Sequence, residues 1–428
     1  MNSRNRIGWI VGCLAALLIV AGICCVTTVL TGGGVVAFLA PAVRATGTAL
    51  AQEMAPQPRV TDLAPALPPP PGPTPTPPAA TNFTNNEGRS EQPAVVSDNE
   101  GNLHIVWFDD SLRAPNSGEG DILHRQRSAG GEWSDVENLT EGFEMVMESS
   151  LRLLAAPDGR LCALWSGSQS LTIGANAYLR CQAGGQWAPP EKLDDTDSAF
   201  DCSPAFAPDG GLEVACSSFG EWRLRDRQLV PPSNDYVYTL KLLIDSHGGY
   251  HVLWIQGEPN ALWHRYSTDK GETWGETTQV SGEGQFYTSG AIQAICDSRD
   301  SLHVAWSDPD GAHYRQWQTD GGWQASEKFL APNEYMGEVG MAADAQGLVQ
   351  VTFTMIIHGP PSLGYVQRQA DGKWTSPMLI ASMAQDETLG SGGPVMAVDT
   401  QGRRHFVWPV YRFGNGPGSS DLYHAVLP

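Results

Sequence analysis

The chain has 428 residues, with 47 acidic against 26 basic side chains and a formal charge of −21. Every acidic residue lies after residue 51, so the body of the protein repels phosphate backbones, which argues against nucleic-acid binding and against docking on anionic lipid head groups. Fourteen Trp and 47 Gly, with no amphipathic helical pattern beyond the N-terminus, point to short strands joined by tight turns.

Residues 8–30 carry no charge, a run long enough to cross a bilayer, which needs about 20 residues. Arg4 and Arg6 precede it and place residues 1–7 in the cytoplasm. A second apolar stretch ends at Val43, so 8–43 reads as a signal-anchor region with one transmembrane helix. Ala49-Leu50-Ala51 resembles a signal-peptidase site, and cleavage after Ala51 with secretion is the alternative; a lipobox-like Cys13 is a third. All three export the rest, so the expectation is a single-pass cell-membrane protein with its folded part outside the cytoplasm. Residues 44–92 form a linker. Its Pro-rich part, 55–80, favours extended polyproline II and reads as a stalk, or as a spacer without mechanical role.

Residues 93–428 repeat one pattern: an apolar run, an Asp-containing turn, and a strand ending in Trp or a substitute. Seven copies stand at 97–107, 157–165, 208–216, 245–254, 297–306, 344–353 and 399–408, about 38 to 58 residues apart. A second element, a strand, a Gly-rich turn and a Trp, follows in most copies (Trp133, Trp187, Trp274, Trp323, Trp374). Each unit reads as four strands, and the period fits a propeller blade. The expected fold is an all-β propeller of seven blades, with six as the alternative. The third copy reads as truncated after Gly220-Glu221-Trp222. The last lacks an outer strand, for which residues 81–92 are candidates.

Residues 267–274 match the pattern Ser-x-Asp-x-Gly-x-x-Trp in full, through Ser267, Asp269, Gly271 and Trp274. This resembles the BNR or Asp-box repeat of sialidase-type propellers. The resemblance implies that the box is structural, on the hairpin face away from any active site. It also implies that a sialidase needs three arginines around the substrate carboxylate, a Tyr-Glu pair and an Asp acid/base. The family's early Arg-Ile-Pro is here Glu91-Gln92-Pro93. Arg125, Arg180, Arg265, Arg315 and Arg368 recur in third strands, which suggests repeat structure rather than a converging triad.

Propeller ligands bind at the channel face, formed by the loops between strands 2 and 3 and between blades. The candidates there are Asp109, Asp110, Arg113, Asp308, Asp310, Tyr335, Glu338, Tyr411 and Arg412. No cofactor is expected; Asp195, Asp197 and Asp201 offer oxygen ligands for a weak Ca²⁺ site. His104, His251, His303 and His405 share one repeat position in different blades and read as packing residues. In an exported chain Cys202 can pair with Cys216, and Cys162 with Cys181, leaving Cys296; five reduced thiols are the alternative. The function expected is a glycan- or protein-binding surface module without an intact sialidase site. An exo-sialidase or other glycoside hydrolase is the alternative, and a structural surface protein a third.

Overall fold

A computed structural model describes residues 76–428, apart from 115–118, 157, 169–175, 194–200, 219–220, 225–226, 230–236, 258–259, 283–291, 309, 331–336, 356–359 and 414–418. The expected transmembrane segment 8–43 and the linker as far as residue 75 lie outside the described residues. Among those described there is no helix, and hence none long and apolar enough to cross a membrane.

The chain folds into seven antiparallel sheets, the blades of a β-propeller. Blade 1 is Ser90–Ser97, Leu103–Asp109, Asp121–Arg127 and Glu137–Asn138. Blade 2 has main strands Met145–Ala155, Leu161–Ser168 and Asn176–Ala183. Blade 3 is Asp201–Phe206, Leu212–Ser218, Glu221–Leu224 and Arg227–Leu229. Blade 4 is Val237–Ile244, Tyr250–Gln256, Ala261–Ser267 and Thr278–Gln279. Blade 5 runs from Ile292–Cys296 through Leu302–Asp308 and Gly311–Gln318 to Glu327–Leu330, and blade 6 is Val339–Ala343, Val349–Met355, Ser362–Gln367 and Met378–Ser382. Blade 7 holds Val395–Val398, Arg404–Arg412 and Ser420–Leu427. Its outer strand comes from the other end of the described chain: Thr81 pairs with His424 and Asn82 with Tyr423. Each innermost strand touches the next, and Val395–Val398 touches Ser90–Ser97, so the ring closes. The β structure therefore begins before residue 93, at Thr81. Blade 3 is not truncated. It keeps four strands by tightening its second hairpin, and Trp222 lies within its third strand instead of after a Gly turn.

The repeat residues explain why the sequence folds this way. A second strand is covered on both faces by neighbouring blades, so its alternation disappears: all seven residues of Leu103–Asp109 are buried. Trp107, Trp165, Trp254, Trp306 and Trp408 are the largest fully buried side chains. The Trp after each Gly-rich turn packs back on the preceding blade. Trp133 meets His424, Trp187 meets His124, Trp323 meets His264 and Trp374 meets Tyr314, all edge-on at 5.1–5.4 Å. Trp274 of the full Asp box lies against the blade-3 cluster of Trp222 and Leu224. Within that box Asp269 accepts from Ser267 Oγ, Thr273 N and Thr273 Oγ1 at 2.6–2.8 Å, and these hydrogen bonds hold its carboxyl at about 2.

Four of the five third-strand arginines staple blades together, while Arg265 donates to Gly275 O of its own blade at 3.0 Å. Arg125 donates to Phe83 O, Arg180 to Leu139 O and Arg315 to Val280 O, all at 2.8–2.9 Å and all across a blade seam. Arg125, Arg180, Arg265 and Arg315 lie opposite Ile105, Ala163, Val252 and Val304. Arg368 does not share that register. It bridges to Trp374, as Arg127 does to Trp133, and pairs with Glu327 of blade 5 at 2.7 Å.

The turn aspartates have a double task. In Asp98, Asp245, Asp297 and Asp399, Oδ1 accepts the amides two and four residues on. Oδ2 faces the histidine six residues later: His104, His251, His303 and His405 at 3.1, 3.5, 3.1 and 3.0 Å. The other ring nitrogen meets a third-strand partner: His124, His264 and His424 at 3.0–3.2 Å, and Tyr314 OH at 2.6 Å in blade 5. The four histidines thus form four separate buried relays, one per blade, and do not converge on a metal. Disulfides join Cys162 to Cys181 across strands 2 and 3 of blade 2, and Cys202 to Cys216 across strands 1 and 2 of blade 3. Cys296 is free.

Candidate functional site

The innermost strands surround a central channel. Near one end a cavity of about 260 Å³ is lined by residues of six blades, its polar contributors being Gln92, Arg152, Thr239, Lys241, Gln293 and Glu338. A second cavity of about 650 Å³ shares Arg152 and Lys241 and is otherwise mainly apolar, with Phe206 and Ile244 among its lining. Arg152 and Lys241 therefore stand at the junction of the two, two cations in the channel of an acidic protein.

Three of these polar residues interrupt an apolar strand: Leu151-Arg152-Leu153, Leu240-Lys241-Leu242 and Ile292-Gln293-Ala294. Side chains alternate along a strand, so the polar residue takes the channel side while Leu151, Leu240, Leu242 and Ile292 are buried between blades. Gln92 has φ of +52° and is held by Ser391, whose carbonyl accepts its amide at 2.9 Å and whose Oγ accepts its Nε2 at 2.7 Å. Glu338 precedes the inner strand of blade 6. Burial pushes its carboxyl up to about 7, the range in which an acid can both hold and release a proton near neutral pH. Gly393 of blade 7 abuts it so closely that a methyl there would collide with the carboxylate.

Among the described channel-face candidates, Glu338 alone lines this cavity. Asp109 is buried and accepts from Asn86 Nδ2, Ser90 Oγ, Trp107 Nε1 and Ser111 N at 2.7–2.9 Å, which makes it a hub of blade 1. Asp110 accepts the Arg89 amide at 2.6 Å. Arg113 pairs with Asp121 and donates to Phe143 O. Asp308 accepts from the Asp310 amide and faces His313; Asp310 pairs with Lys328. Arg412 bridges Glu387 and Asp421, and Tyr411 lies edge-on to Phe413. Asp109 and Arg412 join through Asn86 and Asp421 at the seam of blades 7 and 1, and none of these groups lines the channel cavities. Tyr335, Asp195 and Asp197 lie outside the described residues, as does the side chain of Asp201.

Glu91, where the resemblance would place an arginine, is buried, lies 3.7 Å from Arg89, and accepts from Ser420 Oγ. Arg125, Arg180, Arg315 and Arg368 are committed to blade seams, Arg265 donates within its own blade, and none of the five lines the described channel cavities. Sequence reading missed Arg152, Lys241, Thr239 and Gln293; the available signal was a polar residue inside an otherwise apolar innermost strand.

No family model and no curated protein matches the chain. Among solved structures it is similar to a protein of unknown function from Dyadobacter fermentans, at 14% identity and TM-score 0.49 over 80% of this chain and 95% of that one. It is also similar to the Hadza microbial sialidase Hz136, at 12% and 0.43 over 79% and 65%. Trypanosoma rangeli sialidase gives 11% and 0.43 over 79% of this chain and 55% of that one. The chain thus spans somewhat less than two thirds of one sialidase and about half of the other, and the likeness is one of fold.

Proposed function

We propose that the propeller is a binding module that takes a polar ligand, a glycan or a glycan-bearing extracellular protein, at its central channel, without sialidase turnover. The observation that carries this reading is the ring of Gln92, Arg152, Thr239, Lys241, Gln293 and Glu338, contributed by different blades around one cavity. Amides, hydroxyls and charged groups of both signs suit the dense donor and acceptor pattern of a saccharide. The two cations favour an acidic sugar. In this reading the charge-free segment 8–30 anchors the chain and the Pro-rich run holds the propeller away from the membrane. Neither a cofactor nor Ca²⁺ is needed for it.

Glu338 favours a second reading, glycoside hydrolysis, because a carboxyl near pH 7 suits a general acid. One experiment separates the two. The full chain is screened on a glycan array and against a fluorogenic sialoside. The expected result is saturable binding of acidic glycans with no turnover, and a loss of affinity of about tenfold or more in Lys241→Ala and Arg152→Ala. Turnover abolished by Glu338→Gln contradicts the binding reading. Neither binding nor turnover leaves a structural surface protein.

A further inference from the structure

We infer that the seam between blades 4 and 5 holds a divalent metal site of the Zn²⁺ class, built from Asp245, His247 and Asp300. One ligand atom from each lies within 4.8 Å of the other two. Asp245 and His247 belong to the first turn of blade 4, Asp300 to the corresponding turn of blade 5. The site lies on the turn side of the blades and is independent of the channel.

Comparison with the sister turns shows what is unusual here. The fourth position of this turn, three residues after the Asp, has positive φ and is glycine in four blades: Gly101, Gly248, Gly347 and Gly402, at +71° to +82°. In blade 5 it is Asp300, at +61°. A side chain there costs strain that the fold avoids elsewhere. Two residues after the Asp, blade 5 has Arg299, which staples forward to Gly347 O at 3.1 Å. Blade 4 has His247 instead, whose Nδ1 lies 3.0 Å from Asp300 Oδ2. Both carboxylates commit Oδ1 to backbone: Asp300 to Ser246 N at 2.6 Å, Asp245 to His247 N and Gly249 N. Oδ2 of each is left to face side chains, with Tyr266 OH 3.2 Å from that of Asp245.

A second, independent observation comes from beneath the cluster. His251 is fully buried, and its Nε2 is one of two relay nitrogens, with that of His303 in blade 5, that lack a well-aligned hydrogen bond. It points at Asp245 Oδ2 from 3.5 Å, the longest of the four relay contacts, the other three being 3.0–3.1 Å. A ligating carboxylate is held by hydrogen bonds from outer-shell groups, and this imidazole is placed to give one. One imidazole and two carboxylates suit Zn²⁺ better than Ca²⁺, which takes oxygen ligands alone. His247 and Asp300 open onto a cleft of about 950 Å³, which gives an ion its path in.

The test is titration of Zn²⁺ into the untagged, EDTA-treated full chain by calorimetry, with thermal unfolding as a second readout. The expected result is one saturable site and a Tm raised by several degrees. Asp300→Gly installs the residue of the sister turns, and relief of the positive φ offsets the lost bond to Ser246. The variant is expected to lose Zn²⁺ affinity at least tenfold and to lose the Tm shift, as is His247→Gln. Absence of a saturable site, or retention of it in both variants, overturns the proposal and leaves an Asp300–His247 pair that only joins two blades.

Discussion

Phe83→Ala lowers the stability of the propeller by about 3–5 kcal/mol, the cost of a large cavity in a packed core. Phe83 follows the two-residue strand that completes blade 7. Its ring stacks on Trp133 at 5.2 Å and meets Trp107 edge-on at 5.7 Å, so a residue from one end of the ring packs into blade 1. Its amide donates to Leu422 O at 3.1 Å, and its carbonyl accepts from Arg125 at 2.9 Å. Thr84 Oγ1 adds a bond from Leu422 N at 3.0 Å. Closure therefore rests on a short strand with one aromatic anchor. Truncating that anchor removes apolar contacts on two blades at once. Urea unfolding followed by Trp fluorescence measures the loss; a change under about 1 kcal/mol contradicts this role.

Acid destabilises the protein well above the carboxylate range. Burial lowers His124 to about 4, against the opposing hydrogen bond it donates to Glu137. Burial, with repulsion from His405 and Arg127, lowers His424 to about 3. His264 is pushed well down by burial and by His251. In the unfolded chain these rings titrate near 6.5. Above that pH neither state binds the protons. Below it the unfolded chain takes protons that the native relays refuse, so stability falls from about pH 6.5 and continues to fall towards 4 and 3. The summed loss by pH 4 is on the order of several kcal/mol. A further loss follows below about pH 4 from Asp297 and Asp399. Burial opposes their ionisation, but hydrogen bonds from His303, and from His405 and Arg403, hold both at about 2. Denaturant midpoints measured from pH 8 to 4 should drop steadily below 6.5. Replacing His424 with Tyr, the partner that blade 5 already uses as Tyr314, should flatten the profile. A midpoint constant from pH 7 to 5 contradicts the relays.

The blade plan was legible because each repeated residue does one physical job in most of the blades. Trp fills the strand-2 core, Asp caps the first turn, and Gly takes the positive φ of the second. Reading failed where a blade departs from that division. In blade 3 the Trp sits inside the third strand, so its missing Gly turn looked like truncation. Arg368 shares a neighbourhood but not a register with Arg315, and a shift of two residues along a strand is invisible without pairing. Asp109 read as a loop carboxylate because the groups that bury it, Asn86 and Ser90, are about 20 residues upstream. The channel residues were hidden for the opposite reason: Arg152 and Lys241 lie in strands whose buried faces dominate the pattern, and only ring closure turns their other faces towards one another.

That closure can be tested directly, and the channel site exists only if it is right. Asn82 and Tyr423 are directly paired across the outer seam of blade 7, a spacing that a disulfide can span. In the full chain carrying Cys296→Ser, Asn82→Cys and Tyr423→Cys, mild oxidation should give an intramolecular bond, mapped by mass spectrometry, and raise the urea midpoint. Failure to form that bond, or its formation only between molecules, would contradict a ring closed by its own N-terminal strand.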